Sequence, residues 1–362
     1  MVARVCLVSG GTGGHLMPAL VLARALRDRG HAPLLLTEGR EVEKEFLERD
    51  VSGVESASLP DGKPAKWQLP LWLYRTTLRA RRLLQDRSVD SVVSTGGRAS
   101  LPVALAARSL GKPVFLLEQN AVAGRVNRWM LPFAARMYLG LPGPQQTGRS
   151  RFTGTPLRPE IYRIDAQKAR KALGLLPDVP VLLVTGGSQG ALTLNEIVPL
   201  AITALRTQVQ VLHLCGSSAV QSGRDRELRR RYAAADCVTS AIVRAMSMDM
   251  DTMLGAADLV ICRGGGTTVA ELMAAGRPAI VVPYPHHKDQ QQLHNARVLA
   301  AVGAAIVLEE HELDAARMTA AIESILCEPS RARSMGEAAH RLCGDDPTAT
   351  ILADMQQYGG LR

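Results

Sequence analysis

Twice in this chain a strand-like apolar run feeds straight into a glycine cluster and then a helical pattern, as VCLVSGGTGGH at 5–15 and VLLVTGGSQGA at 181–191. Glycine permits the tight turn and leaves backbone N–H groups bare, and the positive end of the helix behind them can hold an anion. Further continuous apolar runs stand at 34–37, 91–95, 114–117, 209–214, 259–262, 279–282 and 305–308, separated by amphipathic stretches such as Met17 to Arg29 and Thr267 to Ala275. Uninterrupted apolar strands alternating with helices describe parallel sheets covered on both faces. At 362 residues and 46% hydrophobic content the chain exceeds one ordinary core. The prediction is α/β, with two doubly wound domains. The Pro- and Gly-rich RFTGTPLRPEIY at 151–162 serves as linker, giving domains at 1–160 and 161–344, and a helix within 345–362 could pack back on the first.

None of the six cysteines forms a C-x-x-C pair, and Cys6, Cys215 and Cys262 fall in strand-like runs, which fits a reducing compartment. The N-terminus MVARVCLVSGG lacks the apolar core of a signal peptide, and no stretch approaches 18 apolar residues, so neither secretion nor a membrane span is expected. A net charge of +9 points to an anionic partner. With 4% aromatic residues and no nucleic-acid module signature, that partner is not expected to be nucleic acid.

The dinucleotide fingerprint G-x-G-x-x-G fails, because Leu16 stands where Gly11 and Gly13 would require glycine, although Glu38 could still mimic a ribose-binding acid. That leaves an NAD-type oxidoreductase as a minor alternative, and no P-loop is present. The second half carries two more turns, Gly186 to Gly190 and Arg263 to Glu271, whose helix starts could together neutralise a diphosphate without metal. Glu271 in the latter helix either binds a ligand or complements the helix dipole. Asp249-Met250-Asp251 has the D-x-D form of some metal-nucleotide sites but reads better as a capping acid before a helix. His286, His287, Asp289 and His294 lack a ligand spacing and read as a loop near a polar ligand. No metal and no cofactor are expected.

Taken together, GGTGGH, EQN-x-x-x-G-x-x-N from Glu118, G-x-P-x-R from Gly154, GGSQGA, R-x-G-x-x-T-x-x-E from Arg263 and the loop before Asn295 resemble the MurG family. Its members are UDP-N-acetylglucosamine:undecaprenyl-pyrophosphoryl-muramyl-pentapeptide N-acetylglucosaminyltransferases. The resemblance runs in register over nearly the whole chain. It implies the GT-B fold, two Rossmann-like domains facing across a cleft, with inversion at the anomeric carbon and no obligatory metal. It implies donor contacts at Thr12, Gly13, Gly14, Asn120, Arg158, Ser188, Gly266, Thr267, Thr268, Val269, Ala270, Glu271, Gln291 and Gln292, with Ser247 the nearest match for a uracil contact. Glu271 would take the ribose hydroxyls, and Ser188 with the glycine backbone the pyrophosphate. The implied product is lipid II, made from lipid I (undecaprenyl-pyrophosphoryl-MurNAc-pentapeptide) at the cytoplasmic face of the inner membrane. The chain departs from the family pattern at Arg98, Leu117, Thr155, Gly264 and Gly266.

Such a reaction needs a base for the acceptor's 4-hydroxyl. His15 is the candidate, because the positive helix end disfavours its cation; the alternative makes it a hydrogen-bond donor to the acceptor pyrophosphate. Other readings of the same architecture are a glycolipid glycosyltransferase, a UDP-sugar 2-epimerase and a non-catalytic nucleotide-sugar binder. Between Lys63 and Arg87 seven basic residues face one acid, Asp86, and Trp67 and Trp72 lie among Arg75, Arg79 and Arg82. That combination predicts a patch for an anionic membrane surface, against the plainer reading of a solvated basic helix face with its aromatics in the core.

Overall fold

The structure is a computed structural model that describes residues 1–10, 13–40, 43–44, 47, 53–59, 64–143 and 147–361. Thr12, Gly11 and Lys63 fall outside the described residues. The chain divides into two compact units, Met1–Leu157 with Gly344–Arg362, and Arg158–Cys343.

The first unit holds a 7-stranded sheet in the order β3-β2-β1-β4-β5-β6-β7. The strands are β1 (Arg4–Val8), β2 (Ala32–Thr37), β3 (Glu55–Ser58), β4 (Ser91–Ser94), β5 (Val114–Glu118), β6 (Arg136–Leu139) and β7 (Ser150–Phe152). Every pairing is parallel. Alternation along β1 sends Cys6 and Val8 into one apolar cluster and Val5 and Leu7 into the other, so both faces are covered. The C-terminal helix Pro347–Gln357 contributes Ile351, Leu352 and Met355 to the second of these clusters. Asp354 on that helix pairs with Arg136 at 3.2 Å and Arg151 at 3.1 Å, and Ser91 donates to the Gly360 carbonyl at 2.8 Å.

The second unit repeats the topology in a 6-stranded sheet, β10-β9-β8-β11-β12-β13. Here β8 is Val181–Thr185, β9 Val209–Leu214, β10 Val238–Arg244, β11 Leu259–Cys262, β12 Ala279–Val281 and β13 Ala305–Val307. In each sheet the strand order reverses direction at one place, between β1 and β4 and between β8 and β11. Loops leaving the carboxyl ends of those strands are where open α/β sheets take ligands.

Two expectations change. Arg151 and Phe152, at the start of the expected linker, are in edge strand β7, and the linker proper follows them. Strands β3, β6, β7 and β10 are additions. β3, β7 and β10 have one neighbour each; β3 and β7 alternate between partial burial and exposure, β10 is mostly half-buried, and none has a continuous buried apolar run.

Candidate active site

At the first reversal the helix Gly13–Asp28 starts on Gly13, so Gly14 and His15 fall in its first turn. The loop after β4 closes against the loop after β1. Gly97 has φ +92, and a methyl group on it would sit 2.5 Å from the Gly10 carbonyl oxygen, so only glycine lets the backbones meet. A methyl on neighbouring Gly96 would lie 3.1 Å from His15 Cε1, which makes the Gly96 backbone the floor under the imidazole.

His15 Nδ1 is 3.1 Å from Gln119 Oε1. Gln119 is buried, and its loop is held by Glu118 beside it. One Glu118 oxygen accepts from the Asn120 N–H at 3.0 Å and the Asn120 side-chain amide at 2.9 Å. The other accepts from the Gly124 N–H at 2.9 Å and Asn127 Nδ2 at 2.8 Å. A buried carboxylate that accepts from four donors is fixed in place, and the loop with it. Asn120 therefore has its amide donor directed at Glu118.

Glu38 does not act as a ribose acid. Its side chain is buried beneath Gly10, where a methyl would sit 2.5 Å from Oε1. It forms ion pairs with Arg40 and, at 3.7 Å, with Arg98, and accepts from the Ala99 N–H at 3.4 Å. It braces the two loops, and Arg98 is part of that brace. Leu117 lies fully in the core, and buried Thr155 packs against Gly140.

At the second reversal the loop Gly186–Gly190 leads into the helix Leu192–Thr203, and the loop after β9 lies against it. Gly190 (φ +80) could carry no side chain, since a methyl would meet the Cys215 carbonyl oxygen at 2.1 Å. The Ser188 carbonyl accepts from Ser217 N–H at 3.1 Å and Ser217 Oγ at 3.3 Å. Underneath, buried His213 bonds Tyr232 Oη at 2.7 Å and Asn195 Oδ1 at 2.9 Å, and Asn195 Nδ2 donates to the Cys215 carbonyl at 3.0 Å. Burial pushes the His213 imidazole down to about 3, so it is a neutral structural link. Nothing in its apolar strand VLHLC signalled this role.

The helix Gly266–Ala275 starts after β11 with Gly265 as its N-cap. The Gly264 carbonyl accepts from buried Asn295 at 2.9 Å, and a side chain at Gly264 would meet the Gln292 carbonyl oxygen at 2.3 Å. That close approach accounts for glycine at this departure from the family pattern. Thr267, Thr268 and Glu271 are partly accessible on this helix. Val269 is different: it is fully buried, and its N–H donates to the Gly265 carbonyl at 2.9 Å. Ala270 is buried too, so neither presents a side chain to a ligand. Half-buried Glu271 has its carboxyl pushed up to about 7 by burial, with the Arg158 charge pulling the other way.

Arg158 donates to the Met248 carbonyl and lies 3.5 Å from Asp251. One carboxylate of the D-x-D is thereby paired with a cation. Asp249 is at the N-cap of its helix but makes no side-chain cap bond; its N–H bonds Ser247 Oγ at 3.1 Å. The capping-acid expectation fails for that reason. Among the described residues no three His, Cys, Asp or Glu side chains cluster as metal ligands. Gln291 and Gln292 open the helix Gln291–Ala300, and Gln292 Oε1 accepts from the Tyr284 N–H at 3.0 Å. His286 and His287 are exposed and meet the Tyr284 ring edge-on at 5.2 and 5.1 Å.

Two family models match: the glycosyltransferase family 28 N-terminal domain over residues 5–139 and its C-terminal domain over 181–345. A UDP-N-acetylglucosamine–N-acetylmuramyl-(pentapeptide) pyrophosphoryl-undecaprenol N-acetylglucosamine transferase of Ectopseudomonas mendocina is 36% identical, covering 99% of each chain. The crystal structure of Acinetobacter baumannii MurG matches with TM-score 0.78 and 27% identity over 98% of this chain and 99% of that one. The chain belongs to the MurG family of glycosyltransferases. Architecture alone does not separate the MurG family from other enzymes. A putative UDP-N-acetylglucosamine 2-epimerase from Listeria monocytogenes has TM-score 0.70 at 13% identity, covering 99% of this chain and 96% of that one, a likeness of fold only.

Proposed function

We propose that this enzyme transfers N-acetylglucosamine from UDP-N-acetylglucosamine to the 4-hydroxyl of the muramyl residue of lipid I, with inversion, giving lipid II. The observation that carries this reading is 36% identity over nearly the full length to a relative named for that transfer, together with a helix that starts on glycine after a central strand in each unit.

In the second unit, the N–H groups at the start of Gly266–Ala275 and in the Gly186–Gly190 loop face negative charge favourably, which suits a nucleotide diphosphate. Ser188, Thr267 and Thr268 add hydroxyls there, and Glu271 accepts from the ribose hydroxyls. Gln291 and Gln292 bind the sugar side of the donor, and Arg158 and Ser247 fix the loop that borders it. Val269 and Ala270 shape the helix from behind.

The first unit takes the acceptor. With Gln119 Oε1 accepting from Nδ1–H, the imidazole of His15 carries its lone pair on Nε2, the atom that would accept the hydroxyl proton. As that proton leaves, the acceptor oxygen attacks the anomeric carbon, the bond from that carbon to the diphosphate oxygen breaks, and UDP departs with the electron pair. Gly13, Gly14 and Asn120 line the same loops.

The lipid substrate places the enzyme at a membrane, and among the described residues no helix is long and apolar enough to cross one. Helix Leu69–Asp86 buries Thr76, Ala80 and Leu84 and turns Leu71, Tyr74 and Leu78 outward, interleaved with Arg75 and Arg82. Trp67 is 80% exposed just before it, whereas Trp72 is half-buried and is no free anchor. Trp129 and Phe133, which sequence reasoning missed, are 67% and 62% exposed near Arg125 and Arg128. Apolar side chains among cations suit the headgroup level of an anionic leaflet, at about 1 kcal/mol per cation.

The test is to incubate the protein with labelled UDP-N-acetylglucosamine and a short-chain muramyl-pentapeptide lipid. Disaccharide lipid, with UDP released only when the lipid is present, is the expected result. Conversion of the sugar to its 2-epimer without acceptor would favour the epimerase, and binding without turnover the non-catalytic reading.

A further inference from the structure

The second unit contains a cavity of about 900 Å³ remote from its glycine-rich loops. Pro180, Asp258 and Pro278 in its wall immediately precede β8, β11 and β12, so it opens at the amino ends of the strands, while the loops discussed above leave the carboxyl ends. Its inner surface is partly apolar, with Ile161, Ile164, Val179 and Ile325.

The charge in this cavity is not balanced. Arg170 is fully engaged: it pairs with Asp258 at 2.5 Å and donates to the Ala256 and Pro177 carbonyls. Asp258 accepts in addition from the Val181 N–H at 2.8 Å. Arg277, close by, donates one N–H to the Gly255 carbonyl at 2.9 Å, has no carboxylate in ion-pair range among the described residues, and keeps its Nε buried without a hydrogen-bond partner. That unpaired Nε is closed off, and with one terminal nitrogen on the Gly255 carbonyl the other terminal nitrogen is the group left to bind an anion. Burial and the Arg170 charge both press against the charge on Arg277, with only Asp258 supporting it. Exposed Arg333, Arg341, Glu337, Asp178 and His340 also line the cavity. The wall is firmly built, since the backbones of Gly276 and Gly336 approach so closely that a methyl on Gly336 would meet the Gly276 carbonyl at 2.3 Å.

We propose that this cavity is a binding site for a small amphiphilic anion, a carboxylate or phosphate monoester on an apolar body, with the anionic group on Arg277 and the body against Ile161, Ile164 and Ile325. Both connections between the units, at Leu157–Arg158 and Cys343–Gly344, flank residues of its wall in sequence, Ile161 on one side and Arg341 on the other. The site does not depend on the transferase reading, because it shares no residue with the proposed donor or acceptor positions.

The experiment is isothermal titration of the full chain, saturated with UDP to fill any nucleotide site, with hexyl phosphate and with hexanoate. Inorganic phosphate and hexanol are the controls lacking one half of the ligand. Saturable 1:1 binding of at least one amphiphile, about tenfold or more tighter than either control and weakened about tenfold or more in Arg277→Gln, is expected. Which amphiphile binds tighter tells carboxylate from phosphate. Arg333→Glu, at an exposed lining residue and harmless to the core, should weaken binding several-fold and covers the case in which Arg277→Gln does not fold. Absence of saturable binding, or binding unchanged in the folded Arg333→Glu and Arg277→Gln proteins, overturns the proposal.

Discussion

Gln119 Oε1 and His15 Nδ1, separated by 104 residues in sequence, lie 3.1 Å apart. Where Gln119 Oε1 accepts from Nδ1–H, Nε2 is the ring nitrogen left to take a proton from the acceptor. If His15 is the base, His15→Ala lowers turnover roughly 100-fold or more while nearly sparing UDP affinity. Gln119→Glu places an anion at Nδ1 and favours the imidazolium, so the acid limb of the kcat profile moves to higher pH. Gln119→Ala should cost turnover without that displacement. Unmoved limbs in Gln119→Glu would argue that His15 does not titrate in the reaction, and a raised acceptor KM alone in His15→Ala would favour the hydrogen-bond donor role.

Glu271 in the unliganded protein has its carboxyl pushed up to about 7 by burial. Accepting ribose hydroxyls favours the carboxylate, so nucleotide binding should expel a proton near neutrality. UDP affinity should rise as pH climbs through about 7, and the calorimetric binding enthalpy should depend on the buffer's ionisation enthalpy. The stability contribution has the opposite sense: the folded-state value lies above the ordinary carboxylate value of 4.5, so the unliganded protein loses stability as pH rises from about 4.5 to about 7. Glu271→Ala should weaken UDP binding by roughly 1.5 to 3 kcal/mol. Equal affinity in mutant and parent would leave the residue only a helix-dipole role.

Gly190→Ala places a methyl 2.1 Å from the Cys215 carbonyl at a residue with φ +80. The two loops must part, and we expect a loss of about 2 kcal/mol or more in denaturant unfolding, with weaker UDP binding in whatever folds. At Gly187, also at positive φ but with open space around it, alanine should cost about 1 kcal/mol from strain alone. Equal losses at the two positions would remove the loop contact from the account.

For the membrane face, Arg75, Arg79 and Arg82 together changed to glutamate should abolish sedimentation with anionic vesicles and spare UDP binding. Trp129→Ala with Phe133→Ala should weaken sedimentation in a manner less sensitive to salt, since apolar insertion is not screened. A folded triple mutant that sediments like the parent at low and physiological salt would leave the sugar headgroup as the tether.

The chain's own order of residues determined the α/β class and the central strands, because β1, β4, β5, β8, β9 and β11 are covered on both faces and are therefore mostly apolar. It also determined the glycine clusters after β1, β8 and β11, since backbone approach with no side chain leaves a mark in composition itself. Other features were set only by what each segment meets. Edge strand β3 reads ESAS, half-exposed, and becomes a strand only by pairing with β2. Glu38 looks like a ribose acid until Gly10 covers it and Arg98 reaches it. Trp72 and Trp129 are indistinguishable as letters, yet one is half-buried and the other exposed, because a helix's outward face is chosen by the neighbours it packs on. Local pattern records how much a residue is buried, while the partner that buries it, as Gln119 for His15, comes from segments far apart whose meeting depends on the whole sheet.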